Sequence, residues 1–142
     1  VHRRPLGRGR LLVLAGAAAI LVGCLLPWHS IGGSDGLPLV ESRGLAGSGI
    51  VTFLAAIGAL AVVALPYASG GRPVGLDRTV TFALLTGLAI GGLVIWPIEF
   101  VTVGAAAGLL PTSAPGYWIA IAGSAVMARG TYLIAREPHR PW

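Results

Sequence analysis

The sequence predicts an all-α integral membrane protein: a four-helix bundle with both termini cytoplasmic and two longer loops outside. Three observations lead there. Only 11% of the residues are charged while 55% are hydrophobic, with a mean hydropathy of +0.82. A water-facing surface needs roughly a quarter charged residues, so this composition belongs to the membrane class. Four runs approach the length of about 20 mainly apolar residues that crossing the hydrocarbon core requires. Finally, all ten basic residues are arginine, and nearly all of them fall between or beyond these runs in an alternating pattern.

In chain order, residues 1–10 form a basic tail carrying Arg3, Arg4, Arg8 and Arg10. The first expected span, residues 11–28, closes on Pro27 and Trp28. The loop after it, residues 29–44, has only Arg43 against Asp35 and Glu41. The second span, residues 45–67, ends at Pro66 and Tyr67, and the next loop carries Arg72 and Arg78. The third, residues 79–98, closes on Trp96 and Pro97 and is followed by a stretch without arginine. The fourth, residues 117–135, opens on Tyr117 and Trp118, and residues 136–142 supply Arg136 and Arg140. Aromatic residues near span ends match the interfacial belt of membrane proteins. Prolines near span ends lose the backbone N–H that matters least. Arginine concentrates on the cytoplasmic side of membrane proteins, which places both tails and the middle loop inside. Residues 100–110 are apolar yet too short to span; they are expected to lie as a short helix on the outer surface. The alternative is that the third helix runs on and turns at Pro111.

The formal charge of +5 does not point to nucleic acid, because the arginine clusters abut apolar runs and serve as topology signals. The lipid bilayer is the partner that composition implies.

The single cysteine carries a separate question. Leu21-Val22-Gly23-Cys24, behind a basic tail and an apolar core, resembles a bacterial lipobox. That resemblance implies cleavage before Cys24 and diacylglycerol on its thiol. However, the apolar run continues through Leu25, Leu26 and Trp28 and reaches span length only when Cys24 is included. Cys24 is therefore read as a small buried residue of the first span. One thiol supports neither a disulfide nor a thiolate metal centre.

Catalytic chemistry has little to stand on. No His lies within a span, and no paired carboxylates, phosphate-binding loop or nucleophile–base set is present. No catalytic residue, cofactor or metal is expected. His29, Ser30 and Asp35 share a Gly-rich loop, where such residues form turns. If the protein binds a small ligand or transports one, its site would lie between the outer loops and use Trp28, His29, Asp35, Arg43 and Glu99. Within that group Arg43 and Glu99 sit near span ends on one side and are expected to pair.

What recurs instead is packing. Ala83, Gly87 and Gly91 repeat every four residues in the third span, and Gly116, Ala120, Ser124 and Ala128 do so in the fourth. Ala15, Ala19 and Gly23 in the first and Ser48, Thr52 and Ala56 in the second follow the same spacing. Small residues at this interval let membrane helices approach closely. They serve the interior of the bundle or a surface for another membrane protein. One charge falls inside a span: Arg129, about 10 Å deeper than Arg136 at 1.5 Å per residue. Because side chains tilt toward a helix N-terminus, an internal partner is expected. Asp77 is the first candidate. The carbonyl of Val62, which Pro66 leaves without its N–H, is the second.

The basic tail, "LLPW" closing span one, the Gly-rich loop, "GLAGSGIV", "LDR" and "GYWIAIAGS" together resemble uncharacterised small four-span membrane proteins of high-GC bacteria, a family of unknown function. The resemblance implies the four-span fold in a bacterial cytoplasmic membrane and no particular activity. The expected function is that of a non-enzymatic structural or accessory protein packing against itself or a larger membrane complex. The alternative is the small transporter or ligand-binding protein just described.

Overall fold

Proline sets the first boundary. In the computed structural model, which describes residues 6–31, 36, 38–70, 75–104 and 115–137, helix α1 spans Arg8–Leu25. It stops there because Leu26 precedes Pro27, and the proline ring pushes the preceding residue out of the helical region. Leu26 is extended, with φ −79° and ψ 158°. The chain then forms strand β1, Pro27–Ile31, paired antiparallel with β2, Val40–Arg43. Between Pro27 and His29 β1 takes two steps while β2 takes one, from Arg43 to Ser42. Trp28 is thus the extra residue of a bulge, and a bulge re-aims its side chain. The sequence reading carried the first span through Trp28 and left residues 29–44 as loop. The bundle is therefore not purely helical.

A 3-10 turn at Gly44–Ala46 leads to α2, Gly49–Ala68, which ends with Gly70 at a positive φ of 61°. A glycine in that conformation directly after the cap is a common helix stop. Helix α3, Arg78–Gly104, has 27 residues. At about 40 Å it is longer than a hydrocarbon core of about 30 Å. Its start is capped by Asp77, whose Oδ1 accepts from the backbone N–H of Thr79 at 3.0 Å and of Val80 at 3.3 Å. The surface helix expected over residues 100–110 falls partly inside α3 as far as Gly104 and partly outside the described residues. Helix α4 covers Pro115–Arg136. Together, α1, α2, the Arg78–Glu99 part of α3, and α4 are each long and apolar enough to cross a membrane.

The helices neighbour one another in the cycle α1–α2–α3–α4, and α1 packs most extensively on α4. The start of α1 and the end of α4 lie together: a Cβ placed on Gly7 would stand 3.2 Å from Glu137 Oε1. The interior holds Val13, Ala17, Ile20 and Cys24 from α1 with Ala55, Ala56, Ala59 and Val63 from α2. Phe82, Ala89 and Leu93 of α3 and Ala120, Met127 and Ile134 of α4 complete it. The outward faces are apolar too; Leu54, Leu84 and Val94 are among the large exposed side chains. Water would penalise such a surface, whereas lipid does not.

Side-chain hydroxyls tie the helices across this interior. Thr52 Oγ1 donates to the carbonyl of Ala89 at 2.9 Å, joining α2 to α3. Thr86 Oγ1 and Thr131 Oγ1 meet at 2.9 Å, joining α3 to α4, and Thr131 also donates to its own helix at Met127 O.

Candidate functional site

The backbones of α1 and α4 approach each other closely. Gly9, Gly16 and Gly23 recur every seven residues on α1; Gly130, Gly123 and Gly116 do so, in reverse order, on α4. A Cβ on Gly16 would stand 2.5 Å from Gly123 O and 2.5 Å from Met127 N. On Gly23 it would stand 2.7 Å from Gly116 O, and on Gly130 2.6 Å from Gly9 O. All six glycines are spent on this one seam. Of the expected four-residue stripe on α4, Gly116, Ala120 and Ser124 are buried and Ala128 is half-buried. On α1, Gly23 lies in the seam but Ala15 is exposed. The seven-residue repeat was the legible signal: a 3.5-residue period keeps one face of a helix on a partner.

On α3 the division of labour is equally sharp. Gly92 abuts α2, where its Cβ would collide with Thr52 Oγ1 and lie 2.9 Å from Ser48 O. A Cβ on Gly87 or Gly91, the G-x-x-x-G pair, would meet nothing within 4 Å among the described residues. Ala83, one turn earlier, is exposed. The Ala83–Gly87–Gly91 stripe therefore faces outward, flanked by the exposed Val80, Leu84, Leu88 and Ile90.

At the hairpin end, aromatic side chains replace two hydrogen bonds that proline removes. Pro27 cannot donate to the carbonyl four residues back, Gly23 O; the indole N–H of Trp28 does so instead at 2.9 Å. Pro97 cannot donate to Leu93 O; the hydroxyl of Tyr117, from α4, does so at 2.9 Å. An unpaired backbone carbonyl away from water is costly, so these substitutions hold the hairpin and α4 to specific points of the bundle. Trp28 is fully buried, with Gly44 and Gly49 making room: a Cβ on either would lie 2.6 Å or 2.7 Å from the indole. Its ring meets Trp96 at 5.6 Å and Tyr117 at 5.3 Å edge-to-face, and Trp96 meets Tyr117 at 4.5 Å. Such edge contacts are favourable because the ring edge is positive and the face negative.

The other residues expected between the outer loops are only partly brought together. His29 lies 6.0 Å from Trp96, centroid to centroid. Glu99 is exposed, its Oε2 3.7 Å from where a Cβ on Gly47 would be. Arg43 is an exposed residue of β2 opposite Pro27, and among the described residues it forms no ion pair with Glu99. Asp35 lies outside the described residues. No three His, Cys, Asp or Glu side chains among the described residues are grouped so as to hold a metal ion.

The expected pairing of Arg129 with Asp77 is not what the structure shows. Asp77 is engaged in capping α3. Arg129 is exposed on the outer face of α4, its guanidinium 5.8 Å from the Tyr132 ring centroid, and it does not reach the Val62 carbonyl. The backbone tilt that suggested an internal partner is outweighed by the rotation of α4, which turns Gly116, Gly123 and Gly130 to the seam and Arg129 away from it. Cys24 lies inside α1, fully buried, with Sγ 3.8 Å from Gly49 O.

No family model, curated protein or solved structure matches the chain. The resemblance drawn from the sequence rests on the residues quoted for it.

Proposed function

We propose that this is a multi-pass protein of a bacterial cytoplasmic membrane that performs no catalysis and serves as a structural or accessory subunit. In this reading both termini and the α2–α3 connection face the cytoplasm, following the arginine distribution. The hairpin end faces out. The docking element is α3, which offers Ala83, Gly87 and Gly91 to a helix of another membrane protein, whether a second copy or a component of a larger complex.

The observation that carries this reading is the bare state of Gly87 and Gly91. Each of the six seam glycines, and Gly92, has a partner backbone or side chain where its Cβ would be; these two have open space. A glycine in a helix costs about 0.5–1 kcal/mol relative to alanine. Nothing inside the bundle offsets that cost at these two positions, whereas close approach of an outside helix would. The test is Gly87→Leu, whose Cβ would meet nothing within 4 Å among the described residues, so the bundle should stay intact. Protein purified in mild detergent from its native membrane should bring a stoichiometric partner or a second copy, and Gly87→Leu should release it. Retention of every partner by the variant would reject α3 as the docking helix.

A further inference from the structure

A second surface, on α4, has a different chemistry. Arg129, Tyr132 and Arg136 stand at i, i+3 and i+7, so they share one face of the helix. All three are exposed. The guanidinium carbon of Arg136 lies 4.6 Å from the centre of the Tyr132 ring and that of Arg129 lies 5.8 Å from it. Two cations thus come to one phenol ring.

Neither cation meets an acid among the described residues, and the structure places four of the chain's five acids. Asp77 caps α3. Glu137 sits beside Gly7, within electrostatic reach of Arg78. Glu41 lies in the hairpin and Glu99 just beyond Trp96 and Pro97, both at the opposite end of the bundle. Asp35 lies outside the described residues. The Tyr132 hydroxyl bonds no described residue either. The face therefore presents two positive charges and several N–H and O–H donors, with no acceptor supplied by the described residues.

Depth makes this arrangement informative. Arg129 is two turns, about 10 Å, before Arg136, within the part of α4 that is apolar enough to span. A bare guanidinium on a lipid-facing surface at that depth is expensive. The guanidinium of Arg129 comes to the ring of Tyr132, one turn further along α4. The cation–π contact orients it there but does not neutralise it.

We propose that Arg129, Tyr132 and Arg136 bind the phosphodiester of an anionic phospholipid headgroup drawn in along α4. The guanidinium forks match phosphate oxygens in pairs, the phenol hydroxyl supplies a further donor, and the acyl chains lie along the neighbouring apolar surface. The site is independent of the α3 docking face: it lies on another helix and uses charge instead of close packing.

The experiment is native mass spectrometry of the full chain in a neutral detergent, titrated with phosphatidylglycerol or phosphatidylcholine. The first phosphatidylglycerol should bind more tightly than phosphatidylcholine, and Arg129→Gln and Arg136→Gln should each weaken it about fivefold, the effect of about 1 kcal/mol per arginine at an anionic surface. The double variant should lose both factors, and Arg129→Lys should retain most of the affinity. Cys24 monitors the fold of every variant, since it is buried in the intact bundle and should stay unreactive to maleimide. Arg8→Gln, an exposed arginine at the same end of the bundle but without the tyrosine, should change nothing. Equal losses from Arg8→Gln would reduce the effect to general charge and overturn the proposal. So would undiminished binding in the double variant, or displacement of the lipid by millimolar inorganic phosphate, which would make free phosphate the ligand.

Discussion

Replacing Gly16 by alanine adds one methyl group to the middle of the α1–α4 seam. The new Cβ would stand 2.5 Å from Gly123 O, 2.5 Å from Met127 N and 2.8 Å from Met127 Cβ. Carbon contacts are optimal at about 3.5–4.0 Å, so the helices must part locally by about 1 Å. Such a gap forfeits a quarter to a half of each contact well, and wells are about 0.1–0.2 kcal/mol per atom pair. For roughly 50 pairs across the seam the loss is about 1–5 kcal/mol, in line with the usual 1–3 kcal/mol of overpacking. Better helix propensity returns about 0.5–1 kcal/mol. The net loss centres on about 2 kcal/mol, which raises the population of opened bundle about thirtyfold. Cys24 reads this out: it is the one thiol and fully buried, so maleimide labels it only when the bundle opens. Gly87→Ala is the matched control, since its Cβ meets nothing within 4 Å; it should label no faster than the parent protein. The reasoning fails if Gly16→Ala labels as slowly as the parent, or if the two alanine variants behave alike.

Tyr117→Phe should destabilise the bundle by about 1–3 kcal/mol, because Leu93 O is left without a donor. In a Pro97→Ala background, where the helix regains its own N–H, the same change should cost at least about 1 kcal/mol less; identical costs in thermal unfolding would show that the phenol does not stand in for the proline. Asp77→Ala should cost about 1 kcal/mol through the lost α3 cap. Combined with Arg129→Leu it should be additive within about 0.5 kcal/mol, whereas a larger coupling would restore the pair that the structure separates. Single cysteines at Gly36 and Gly75 in a Cys24→Ser background test the orientation: an impermeant thiol reagent on intact cells should label position 36 and spare 75, and the reverse would invert it.

Much of this architecture could be read from local composition. Hydropathy and length are properties of short windows, so the four membrane-length helices were legible. The hairpin was not. Residues 29–44 show no period-two alternation, and β1 begins inside an apolar run whose break is set by Pro27 alone. The small-residue stripes were visible as spacing, but whether a stripe faces in or out depends on helix rotation, which no single helix determines. Ala120 and Ser124 turned inward while Gly87 and Gly91 turned outward, and a four-residue interval describes both. Arg129 followed the same logic: a charge within a span was assumed to face the interior, whereas the demand of six glycines for the seam turned it to the outside. The exchange of proline-lost hydrogen bonds for aromatic donors was half legible, since Pro97 identifies Leu93 as the orphan but not Tyr117 as its donor.

The glycine seam also bears on how the molecule is assembled. It joins the earliest and the latest of the four helices to leave the ribosome, so its two halves are separated by nearly the whole time of synthesis. Until α4 arrives, the bare backbone face of α1 stands open in the membrane, able to pair with any helix that tolerates close approach. Meanwhile α2 and α3, adjacent in the chain and joined by the Thr52–Ala89 hydrogen bond, can settle as a hairpin. Closing the cycle is then a late, long-range event of the kind that slows folding. The seven-residue repeat gives it a check on alignment. Sliding α4 by one turn takes its three glycines out of step with the three of α1, and sliding it by a full repeat leaves one glycine on each helix unmatched.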